Sequence, residues 1–104
     1  MRALITGAAG VYGRELAKAF AREGADLVLT DYRKDALEAV AAQHGAQAIA
    51  CNLTDADDIV RMADAVLAGG VPEVAASHAG VYPFGGLLGT AIALIFSLAA
   101  PQQL

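Results

Sequence analysis

Three glycines, Gly7, Gly10 and Gly13, stand three residues apart in Thr6-Gly7-Ala8-Ala9-Gly10-Val11-Tyr12-Gly13, directly after the apolar Leu4-Ile5. What such a run offers is backbone. A strand that ends at Gly7 and a helix that begins near Gly10 would aim unpaired amide N–H groups at one point. The positive end of the helix dipole adds to their pull on an anion. Gly7 allows the sharp exit from the strand, Gly10 a close approach of a phosphate, and Gly13 tight packing of the helix on the strand. This is the layout that receives the pyrophosphate of a dinucleotide, although the general fingerprint is Gly-x-Gly-x-x-Gly. A glycine-rich turn without a ligand fits the same residues, so the rest of the chain must decide.

Asp31 is the second position with chemistry to offer. It ends an apolar run about 20 residues beyond the glycines, where a carboxylate accepts the hydroxyls of an adenosine ribose. Its charge would repel a 2′-phosphate and so favours NAD over NADP. The alternative is a turn cap, a common task for Asp. Arg33 and Lys34, the one adjacent basic pair, either reach a 2′-phosphate or form a solvated helix start. Cys51 is the single cysteine, which excludes an intrachain disulfide and a Cys-rich metal site. It suits a reducing compartment, and Arg2 with a very short apolar run does not make a signal peptide; the expected location is cytoplasmic. His78 reads as an ordinary loop or strand-end histidine.

The elements that must position these residues alternate regularly. Strands are expected at 2–6, 26–31, 46–51 and 73–77, and helices at 11–23, at about 34–43 and from Thr54 to Gly69. In the first helix Leu16, Ala19, Phe20 and Glu23 share spacings, with Leu16 and Phe20 as the core stripe. Leu37, Val40 and Ala41 point inward from the second, and Ile59, Met62, Ala63, Val66 and Leu67 from the third. Thr54 reads as the N-cap of that third helix, with Asp55, Asp57 and Asp58 complementing its dipole. Continuous apolar strands separated by helices predict a doubly wound α/β domain with a parallel sheet in the order 3-2-1-4 and right-handed crossovers. Residues 1–80 form this core. Residues 80–89, with Pro83 and three glycines, read as a loop, and 81–104 as that loop followed by an apolar helix.

Composition sets the outer limits. The chain has 104 residues, a formal charge of −4 and 57% hydrophobic residues, which allows one domain with a real core. An acidic chain with no basic cluster argues against nucleic acid as a main partner. Residues 90–100 are apolar all round but fall short of the ~20 residues of a membrane span. They are expected to be buried or to self-associate.

Taken together, these segments resemble the short-chain dehydrogenases/reductases. Thr6 to Gly13 is similar to the cofactor loop of that family, with the glycine spacing of its extended group, and Asp31 matches its NAD-selecting acid. Asn52-Leu53-Thr54-Asp55 resembles the family's Asp-Leu-Thr-Asp, and Ser77-His78-Ala79-Gly80 its Asn-Asn-Ala-Gly. The resemblance implies a Rossmann-like fold and hydride transfer between NAD(H) and an alcohol/carbonyl pair. It implies cofactor contacts from Gly7, Ala9, Gly10, Val11, Tyr12 and Gly13 at the pyrophosphate side. Asp31 and Tyr32 would serve the ribose, Asn52 and Leu53 the adenine, and His78, Ala79 and Gly80 the nicotinamide side.

One family feature is missing. The resemblance implies a Ser and a Tyr-x-x-x-Lys pair, the Tyr moving a proton at the substrate oxygen. Here Tyr12, Tyr32 and Tyr82 are followed four residues later by Leu16, Ala36 and Gly86. The expectation is therefore the truncated cofactor half of such an enzyme, inactive alone, with no catalytic residue of its own. A non-catalytic nucleotide-binding module and a self-associating protein are the alternatives. Truncation would also leave the fourth strand as an exposed edge, or have a C-terminal helix fold over it.

Overall fold

The computed structural model describes residues 1–52, 55–77 and 80–83. Strands β1 (Arg2–Thr6), β2 (Asp26–Asp31), β3 (Gln47–Ala50) and β4 (Val74–Ser77) alternate with helices α1 (Val11–Arg22), α2 (Lys34–His44) and α3 (Ala56–Ala68). The four strands are parallel and lie in the order β3-β2-β1-β4, as the alternation of elements predicts. The expected loop and the apolar helix at 90–100 fall outside the described residues from 84 onward.

The alternation of side chains along each strand sorts the core into two layers. Ala3, Ile5, Leu27 and Leu29 face α1 and α2, where they meet Ala17, Leu37, Val40 and Ala41. Leu4, Val28, Ile49 and Ala75 face the other way, onto Met62 and Val66 of α3. Burial on both faces is why β1 and β2 are apolar without a break. Helix α1 ends in a Schellman arrangement, with the Gly24 N–H on the Ala21 carbonyl and the Ala25 N–H on the Phe20 carbonyl.

Three local expectations need correction. First, the buried line of α1 is Gly13 and Ala17, with Leu16 and Phe20 only half-buried beside it and Ala19 and Glu23 exposed. Small residues form the line of closest approach, so the larger ones splay to its side. Second, Asp55 and not Thr54 caps α3: its side chain accepts the N–H groups of Asp57 and Asp58 at 3.0 and 3.4 Å. Third, Gly80–Pro83 is a strand, β5, paired antiparallel to β4 with Ser77 opposite Gly80 and Val74 opposite Pro83. The free edge expected on β4 is thereby hydrogen-bonded within the chain. Proline is tolerated in β5 because edge strands need not donate every N–H.

At the other end of the sheet Arg2 fastens the start of β1 to the end of α3. Its guanidinium donates to the carbonyls of Val66 (2.8 Å) and Gly70 (2.9 Å) and pairs with Asp26 at 3.1 Å. A cation there satisfies last-turn carbonyls that the helix cannot pair itself.

Candidate functional site

The register of β1 on β2 places the glycine loop and Asp31 side by side. Thr6 lies opposite Thr30, so the turn after β1 and the last residue of β2 emerge together at the C-terminal edge of the sheet. This edge is also where the chain order reverses across β1, the place at which open α/β sheets bind ligands. Two hydrogen bonds lock the loop down: the Ala8 N–H donates to the Thr30 carbonyl and the Ala9 N–H to the Asp31 carboxylate, both at 3.0 Å.

Within the loop the glycines do different work. Gly7 has φ +65°, a left-handed conformation that turns the chain off the strand. At Gly13 there is no room for a side chain, because a Cβ would collide with the Gly7 carbonyl oxygen and stand 2.6 Å from Ala8 Cα. Gly10 is the N-cap of α1 and has no side chain to cap it, and the first turn carries no acid. Helix α3 is the contrast, with Asp55 on its first amides and Asp57 and Asp58 in its first turn. Among the described residues, the amides that open α1 thus carry no acidic cap. They border a cleft of about 200 Å³ lined by Thr6, Gly7, Gly10, Val11, Tyr12, Gly13 and Arg33. That is below the ~300–1,000 Å³ of a whole small-molecule pocket and suits one segment of a larger ligand.

Asp31 is 4% exposed. Besides the Ala9 N–H it accepts the Arg33 N–H and the forked pair Nε and Nη2 of the same arginine, at 3.0, 3.0 and 3.1 Å. Burial works against its ionisation. The hydrogen bonds from Arg33 and Ala9, with the arginine's charge, outweigh that and hold the carboxyl below its ordinary range. The Arg33 guanidinium is correspondingly held above its usual value by the carboxylate. It also lies 5.4 Å from the centre of the Tyr32 ring, a cation–π distance. The sequence left Arg33 between a 2′-phosphate contact and a solvated helix start; the Asp-x-Arg spacing was the signal that could have found its place on Asp31.

The other expected positions fall as follows. Val11, Tyr12 and Tyr32 are exposed, large and apolar around the loop, at 81%, 74% and 72%. Asn52 is exposed just beyond β3, its backbone N–H held by the Asp58 carboxylate at 2.6 Å, and Asp58 in turn is paired with Arg61. The Cys51 N–H donates to the Asp31 carbonyl, which brings the end of β3 beside the end of β2. Gly80 opens β5 rather than a loop. Leu53, His78 and Ala79 lie outside the described residues.

A family profile described as short chain dehydrogenase matches residues 1–74. The chain belongs to the short-chain dehydrogenase family. Among curated relatives of this family, the protein named "Probable oxidoreductase EphD" of Mycobacterium tuberculosis is 38% identical over 92 residues, covering 83% of this chain and 16% of its own. Two solved short-chain dehydrogenase relatives share the fold. A 3-ketoacyl-(acyl-carrier-protein) reductase from Brucella melitensis, crystallised with NADH, is 36% identical with a TM-score of 0.62, over 65% of this chain and 29% of the reductase. The apo form of LigD from Sphingobium is 33% identical with a TM-score of 0.68, over 72% and 35%. The chain therefore spans well under two thirds of the length of each.

Among the described residues no cluster of His, Cys, Asp or Glu could hold a metal ion, and no helix is long and apolar enough to cross a membrane.

Proposed function

We propose that this chain is the nicotinamide-dinucleotide-binding portion of a short-chain oxidoreductase acting on an alcohol/carbonyl pair. The observation that carries this is the start of α1, whose amides no side chain caps and no first-turn acid neutralises, opening on a cleft beside Asp31. The residues present fit the group: the loop offers N–H donors to a pyrophosphate, and Gly10 offers a surface without a side chain. When bound, the nicotinamide supplies or accepts the hydride.

The chain's own contributions in this reading are binding and orientation. The loop from Gly7 to Gly13, with Ala9, Val11 and Tyr12, holds the pyrophosphate. Asp31 and Tyr32 face the ribose, and Asn52 with Leu53 the adenine. The nicotinamide side is assigned to His78, Ala79 and Gly80. Asp31 makes NAD the expected partner over NADP. Proton transfer is assigned to no residue here, since none of the three tyrosines has a lysine four residues on. That sequence feature is also what favours the second reading, a nucleotide-binding module without chemistry. A cytoplasmic setting fits a free, buried thiol at Cys51.

A melting curve with and without NAD, against NADP, tests the reading. Binding to the folded state alone should stabilise it by about 2.7 kcal/mol at a hundredfold excess over Kd. A cooperative melt that neither nucleotide moves would leave family membership standing and remove the binding role.

A further inference from the structure

The carboxylate that the reading above assigns to the ribose is already fully occupied. Asp31 accepts from the main chain of Ala9 and Arg33 and from two nitrogens of the Arg33 guanidinium, all within 3.1 Å, and its side chain is 2% exposed. A sugar diol that approaches it must displace a donor. The two backbone donors are fixed, one by the turn after β1 and the other by the start of α2. The guanidinium is not fixed in that way. It sits on a flexible stem, is 45% exposed, and borders the cleft, 3.6 Å from where a Cβ on Gly10 would stand.

We propose that Arg33 is a removable plug of the Asp31 subsite, one that a dinucleotide must lift before its ribose can reach the carboxylate. The proposal rests on the reading of the loop as a dinucleotide site. It gives the arginine two opposite effects. Lifting it costs an NAD molecule the ion pair and returns nothing of equal strength, because the ribose is neutral. A ligand with a phosphate on the ribose meets the same plug but recovers the charge, since a freed guanidinium can fork onto phosphate oxygens. Arg33 therefore narrows the preference for NAD that Asp31 would impose by itself. The guanidinium is half-exposed, so the effect on NAD is about two- to fivefold in affinity.

The test is calorimetric titration of the 104-residue protein with NAD and, separately, NADP. Wild type is compared with Arg33→Ala and with Arg33→Gln, the latter keeping the bulk and a donor in case the alanine variant misfolds. The expected result is tighter NAD binding by about two- to fivefold in Arg33→Ala, with weaker NADP binding, and the same two directions in Arg33→Gln. NAD affinity unchanged or reduced in both variants overturns the plug while leaving the dinucleotide site intact. Absence of binding by either nucleotide to all three proteins overturns the site itself, and the plug with it.

Discussion

At Gly13 the space beside the helix is already filled by the Gly7 carbonyl and Ala8 Cα. Gly13→Ala must therefore push α1 away from β1, and overpacking of this kind costs about 1–3 kcal/mol. A urea titration of the variant should show an unfolding free energy lower by that amount, and a wild-type value would mean that the helix can slide without penalty. Cys51, 2% exposed, offers a second residue-scale test. Burial, aided by the nearby Asp58 carboxylate, pushes its thiol up from 9.0 to about 11. The folded state thus keeps a proton that the unfolded chain gives up above pH 9. This thiol's contribution to stability is complete below pH 9 and lost as pH rises from 9 to about 11. At pH 8, alkylation of Cys51 should be slow in buffer and accelerate with the fraction unfolded in urea; rapid labelling of the folded protein would contradict its burial. The glycines and Asp31 were legible in the sequence because their spacing is local. Arg33 was missed although it stands only two residues from Asp31, because a basic residue at a helix start reads as solvated until its fork onto the carboxylate is seen.

Among the elements, the starts of α1 and α3 differ in whether a side chain caps them. Helix α3 has a built-in anion in Asp55, and replacing it by Ala removes a cap worth about 1 kcal/mol; a melting temperature unaltered in Asp55→Ala would show that the cap is idle. Among the described residues, helix α1 has no such group on its first amides. Sequence periodicity placed the three described helices and the four parallel strands to within a residue or two. It misplaced the α3 cap, since Thr and Asp are both strong capping residues and only the backbone decides between neighbours. It also missed β5, because Pro83 and the glycines around it are turn signals in a local window. The pairing that makes Gly80–Pro83 a strand comes from β4, which no local window contains.

For the whole molecule, sheet order decides which backbone is best protected. Strand β1 is hydrogen-bonded on both sides and its side chains Ala3, Leu4 and Ile5 are fully buried, whereas β3 and β5 are the edges of the sheet among the described residues. Native-state hydrogen exchange should therefore be slowest in β1 and β2 and fastest at the two edge strands. Comparable protection in β5 and β1 would contradict a sheet ordered in this way. The same order has a consequence during synthesis. On the ribosome β1 and β2 can meet once Asp26–Asp31 emerges, but the other side of β1 stays open until Val74–Ser77 emerges, and Arg2 can reach the carbonyls of Val66 and Gly70 only shortly before that. At about 5–20 residues per second, the central strand of the finished sheet spends seconds as an unpaired edge. A nascent chain halted before residue 74 should consequently be the form most prone to chaperone capture.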